Sequence, residues 1–94
     1  MKATIGSLEK KIEALGLKPL ELNANATTQS RKYMDPEAGV AYITFKNGHV
    51  ARTVTGENGA RISINPTREG ERVMLKTEIA RLNRVIEHVE AHRN

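Results

Sequence analysis

The stretch "VAYITFKNGHVARTV", Val40 to Val54, decides the fold of this chain. Val40–Lys46 is rich in β-branched and aromatic residues, Asn47-Gly48 is the dipeptide that two-residue type I′ turns prefer, and His49–Thr55 forms the return strand. A two-residue turn pairs Lys46 with His49, Phe45 with Val50, Thr44 with Ala51, Ile43 with Arg52, Tyr42 with Thr53 and Ala41 with Val54. Opposed residues share a face. The core face then carries Ala41, Ile43, Phe45, Val50, Arg52 and Val54, and the other face carries Tyr42, Thr44, Lys46, His49, Ala51 and Thr53. Arg52 sits among apolar neighbours in that register. Its methylenes would cover the core while its head reaches an acidic partner, within the chain or across an interface, because an unpaired buried charge is too costly to persist. Two alternatives stand beside this: a sheet-borne guanidinium for phosphate or a partner carboxylate, and a bulge that turns Arg52 outward.

Upstream, Ser7 is a plausible cap for a short helix over 7–15, with Ile5, Leu8, Ile12 and Leu15 in one apolar stripe. Gly16 follows as the residue after the cap, Leu17 can fold back on Ile12, and Pro19 forbids continuation. Leu20–Ser30 reads as a short extended piece and a loop. Gln29–Met34 suggests an outer strand, joined to Val40 by the turn chemistry of "DPEAG". Downstream, "GENG" (Gly56–Gly59) is a turn, and "ARISIN" (Ala60–Asn65) is a third alternating strand that closes a sheet over 29–65. Pro66 ends it, Thr67 can cap a helix over 68–91, and Glu69 and Glu71 suit a first turn. Leu75, Ile79, Leu82, Ile86 and Val89 share one face of that helix, widened by Met74 and Val85. At about 1.5 Å per residue it would be ~35 Å long and overhang the sheet. The expectation is an α+β fold: short helix, antiparallel meander of three or four strands, long C-terminal helix.

Ninety-four residues suggest one domain with a thin core, so a second copy or a partner is an expected source of stability. With 38% hydrophobic and 28% charged residues the composition is that of a globular chain. The absence of cysteine removes disulfides, thiolate nucleophiles and Cys-ligated metal, and fits a reducing cytoplasm. The N-terminus lacks the apolar run of a signal peptide, and no stretch approaches the ~18 apolar residues of a spanning helix. The net charge of +4 is split evenly between the halves, without blocks of like charge. Six of the seven lysines precede Gly48, whereas seven of the eight arginines follow it.

The catalytic inventory is poor. Asp35, the one aspartate, is explained by its turn; no serine has a His–acid context, and no glycine loop suits phosphates. His88 and His92 lie one helical turn apart, but Glu90 between them points elsewhere, and helix-end histidines near a negative dipole explain the pair. No catalytic residue, metal site or cofactor is expected. The order helix–strands–helix resembles the double-stranded RNA-binding domain, and a three-stranded sheet backed by a helix resembles the arm-binding domain of phage integrases. The Gly-Pro-x-His loop and Lys-rich helix start of the former are absent, and aromatic residues for stacking are few.

A non-enzymatic accessory or regulatory protein, of the kind found in bacteria, phages and mobile elements, accounts for more of the pattern. It would act by binding a protein partner, as a homodimer through Leu75, Ile79, Leu82, Ile86 and Val89, with Leu8 and Ile12 closing the remaining apolar surface. The alternative is a sequence-tolerant DNA or RNA binder using Arg52, Arg61, Arg68, Arg72 and Lys76.

Overall fold

The computed structural model describes residues 3–23, 27–54, 60–69 and 71–93. Helix α1 spans Ile5–Ala14. Its cap is Thr4 rather than Ser7 as expected, because the two hydroxyls act as a pair across the first turn. The Ser7 amide donates to Thr4 Oγ1 at 3.1 Å, and the Thr4 amide donates to Ser7 Oγ at 3.0 Å. The C-terminal stop is as anticipated: Gly16 takes φ 91°, and the Leu17 amide returns to the Ile12 carbonyl at 3.3 Å.

Five antiparallel strands follow in sequential order: β1 (Lys18–Pro19), β2 (Gln29–Asp35), β3 (Val40–Phe45), β4 (Val50–Thr53) and β5 (Arg61–Ser63). The fold is α+β, with one strand more than the three or four expected. The extra strand is β1, too short to carry an alternating signal. The Gly56–Gly59 turn lies outside the described residues.

The register of the opening hairpin differs from the expectation by one residue. Tyr42 pairs with Arg52, Ile43 with Ala51 and Thr44 with Val50. A type I′ turn needs positive φ at both Asn47 and Gly48, yet only Gly48 has it, at 108°. The Gly48 amide donates to the Phe45 carbonyl at 3.0 Å, and the Phe45 amide to the His49 carbonyl at 2.8 Å. The loop therefore has three residues, Lys46–Gly48, with glycine alone in the left-handed position. A slip of one residue moves every side chain of a strand to the other face relative to its partner. Val40, Tyr42 and Thr44 thus share a face with Val50 and Arg52, and with Tyr33 and Asp35 of β2. This is the face the helices cover: Leu8, Ile12, Leu17, Tyr33, Val40, Tyr42, Val50, Ile64, Leu82, Val85, Ile86 and Val89 form the core. Ile43 and Ala51 are buried on the opposite face, so the middle of the sheet is covered on both sides.

The second departure is the start of the last helix. Residues Thr67–Arg68 (β6) and Glu71–Arg72 (β7) form a small separate hairpin, with Glu69 at φ 53° in its connection. Helix α2 covers Glu78–Arg93 rather than 68–91. The reason is local: residues 67–72 contain no apolar residue to anchor a helical turn, whereas Thr77 is a working cap. The Ala80 amide donates to Thr77 Oγ1 at 3.1 Å and the Arg81 amide to the Thr77 carbonyl at 3.1 Å. Sixteen residues make a helix of about 24 Å, which removes the expected overhang. The intervening segment is tied down by the buried Asn65. Its Oδ1 accepts the Val50 amide at 2.6 Å, and its Nδ2 donates to the carbonyls of Gly48 at 3.0 Å and Val73 at 2.8 Å.

Candidate functional site

Where α2 ends over the middle of the sheet, a cleft of about 530 Å³ opens between its last two turns, β3, β4 and the β2–β3 turn. Two ends of opposite character make it up. At one, Asp35 is buried and holds its own turn, accepting the amides of Glu37 at 3.1 Å and Ala38 at 3.3 Å through Oδ1. Its Oδ2 accepts Arg93 Nη2 at 3.1 Å; Arg93 also donates to the Leu15 carbonyl and lies 3.7 Å from Glu37. This end is a clasp joining α1, the β2–β3 turn and the last turn of α2.

At the other end stands Arg52, placed there by the three-residue loop. Its Nε is buried and makes no hydrogen bond, and no ion pair among the described residues involves it. The expected acidic partner within the chain is thus absent among the described residues. Four other arginines differ, whereas the exposed Arg61 and Arg72 have no ion pair among the described residues either. Arg31 also has an unbonded Nε, but it lies 3.6 Å from Glu9 and 3.7 Å from Glu78. Arg81 is paired with Glu78 at 2.9 Å, Arg84 with Glu87 at 3.7 Å and Arg93 with Asp35. Arg52 lines the cleft without an ion-pair partner among the described residues.

Between the ends lie aromatic and apolar groups. The Tyr42 hydroxyl and His88 Nδ1 share a hydrogen bond at 3.2 Å, and the His88 and His92 rings stack with centroids 4.0 Å apart. His92 Nδ1 donates to the His88 carbonyl at 2.9 Å, which places a proton on that nitrogen. Val40, Val89 and Ala38 supply an apolar wall. Burial, followed by the proximity of His92, Arg84 and Arg52, pushes the His88 pKa down to about 4. Burial likewise raises that of the Tyr42 hydroxyl.

The sign of the His88 shift sets a pH dependence. The unfolded chain takes up a proton at the ordinary value near 6.5, while the folded protein resists it down to about 4. Stability from this group is complete above pH 6.5, declines as pH falls from 6.5 to 4, and is constant below. Each pKa unit corresponds to about 1.4 kcal/mol, so the loss approaches about 3 kcal/mol and is about half that where water enters the cleft. Urea denaturation from pH 7.5 to 4 is expected to show this slope, and His88→Gln to flatten it; an unchanged slope in the variant would contradict the assignment.

Of the site residues expected from the sequence, Arg52 and Val89 line the cleft, and most of the others lie elsewhere. Leu82, Ile86, Val89, Leu8 and Ile12 are buried in the chain's own core. Leu75 is half-buried in the segment before α2, and Ile79 is 36% exposed. Leu75 and Ile79 are thus the accessible part of that stripe. Arg61 is exposed on the opposite face, 5.5 Å from the Phe45 ring; Arg72 and Lys76 are exposed near the small hairpin. Arg68 belongs to β6, and its side chain is outside the described residues. Of the four whose side chains are described, only Arg52 lines the cleft. Sequence reasoning missed Tyr42, which the two-residue turn placed on the wrong face, and Arg93, which has no pattern around it. Among the described residues no three His, Cys, Asp or Glu side chains converge as a metal site, and no helix is long and apolar enough to cross a membrane.

Comparison with protein-family models, with curated proteins and with solved structures returned no match for this chain.

Proposed function

We propose that this chain is a non-catalytic accessory protein that acts by binding a protein partner, and that the cleft beside Arg52 receives an acidic group of that partner. The observation that carries the reading is the half-buried guanidinium with a buried, unbonded Nε at the edge of a ligand-sized cleft. An incoming anion would gain a charge-assisted fork on the terminal nitrogens of this guanidinium, beside apolar walls that strengthen it. Leu82, Ile86 and Val89 are committed to the core, which favours the end of the sheet over the helix stripe in this reading. A second copy of this chain is one candidate partner, through the cleft rather than through the stripe.

Titration with acetate, with inorganic phosphate and with a Glu-rich peptide tests this. At least one is expected to bind wild type and to bind Arg52→Gln at least ten-fold more weakly. Equal binding to both proteins, or none to either, would overturn the reading.

A second reading has one observation of its own. Arg61 lies over the Phe45 ring on the outer face, and Lys32 and Arg61 line a cavity there, a basic and aromatic pairing that suits nucleic acid. Duplex DNA and RNA at about 50 mM salt, where phosphate contacts are strongest, decide this; Arg61→Ala should weaken any binding seen.

A further inference from the structure

If the cleft beside Arg52 receives an anion, as proposed above, its charge and shape also select the kind of anion. Charge is the first filter. Arg93 is balanced by the buried Asp35, Glu37 is 82% exposed and screened by water, and with the imidazoles formally neutral the charge left inside the cleft is one unit on Arg52. A monoanion neutralises it. The second charge of a phosphomonoester would stand uncompensated in a cleft that already holds two carboxylates.

Geometry is the second filter. An end-on fork on a carboxylate uses the two terminal nitrogens of a guanidinium; the Nε of Arg52 is closed off, and no hydrogen bond to a described residue occupies its terminal nitrogens. Beside it, Val40, Val89 and Ala38 offer apolar contact, and about 530 Å³ holds more than a bare carboxylate. An Asp or Glu side chain brings its carboxylate at the tip of a methylene stem, with nothing beyond it for that wall. A chain terminus brings its carboxylate on the same carbon as the last side chain. We propose that the cleft binds the C-terminal carboxylate of a partner protein ending in a small aliphatic residue, with the carboxylate forked on Arg52 and the side chain against Val40 and Val89.

The test uses the full chain and a six-residue peptide ending in valine, prepared as the free acid and as the C-terminal amide. A third peptide is amidated and carries an internal glutamate. The free acid is expected to bind at least ten-fold more tightly than the amide, with Arg52→Gln abolishing the difference and Arg52→Lys, which keeps the charge and loses the fork, recovering little of it. The acid–amide comparison on wild type stands alone if either variant fails to fold. Equal binding of acid and amide overturns the inference, as does an internal-glutamate peptide that binds as well as the free acid. If that peptide or inorganic phosphate binds in an Arg52-dependent way while the free acid does not, the terminus is wrong and the anion cleft survives. If nothing binds, both fall.

Discussion

Asn65→Ala is expected to destabilise the protein by about 3–5 kcal/mol, the largest effect of a single polar substitution, since each buried group left without a partner costs about 1–3 kcal/mol. The side chain is 6% exposed and makes three bonds at once, to Val50, Gly48 and Val73. Truncation leaves the Val50 amide and the Val73 carbonyl without these partners in a site closed to water. It also frees the segment that brings the chain from the sheet to α2. Asn65→Leu restores the volume but not the bonds, so it should rescue little. Asn65→Asp keeps the acceptor and sets a carboxylate oxygen against two carbonyls, so it should be no better than alanine. Urea denaturation gives the free energies. A loss below about 1 kcal/mol for Asn65→Ala would mean that this network does not hold the hairpin to the helix.

Gly48→Ala is the second large expectation, at about 2–3 kcal/mol. A residue with a Cβ is strained at φ 108°, and the added atom would sit 3.3 Å from the Leu75 amide nitrogen, 3.4 Å from its carbonyl oxygen and 3.3 Å from Met74 Cε. Two of those neighbours are backbone, held by the bond from the Leu75 amide to the Gly48 carbonyl. Asn47→Ala is the control. Asn47 is not at positive φ and loses only the bond its Oδ1 accepts from the His49 amide, so about 1 kcal/mol is expected. In a two-residue type I′ turn both positions need positive φ, and the two substitutions would cost similar amounts. Thermal melts of the two variants therefore report the hairpin register directly.

That register shows how far the sequence could be read. Strands β2 to β5, their order and the presence of two helices follow from alternation, turn residues and apolar stripes, and the stop after α1 was legible down to Leu17. The Asn-Gly pair fits two loops that differ by one residue. Local chemistry does not choose between them. The choice belongs to packing, because only the three-residue loop turns Val40, Tyr42 and Val50 together toward Leu82, Val85 and Val89. The same difference moved Arg52 from a row with Ile43 and Phe45 to a row with Tyr42, beside His88. The start of α2 was missed for a related reason. Acidic residues near Thr67 imitate a first turn, but residues 67–72 hold no apolar anchor and the working cap is Thr77.

The cleft was half legible. Arg52 stood out as a charge on the core-facing side of a sheet, and it is one, although its neighbours are others than expected. Asp35 and Arg93 are 58 positions apart in sequence and meet only because β2 ends beneath the last turn of α2. No spacing rule reports such a contact. His88 and His92 were visible as a pair, yet the bond of His88 to Tyr42 depends on the hairpin register.

Whether Arg52 is an anion receptor can be read from its own Nε–H resonance, followed by NMR while the full chain is titrated with the valine-terminated free-acid peptide. This signal is expected to shift and saturate together with the amides of Val40, His88 and Val89. An Arg52 signal that stays in place through the titration, and through matching titrations with acetate and phosphate, would contradict the anion-receptor role.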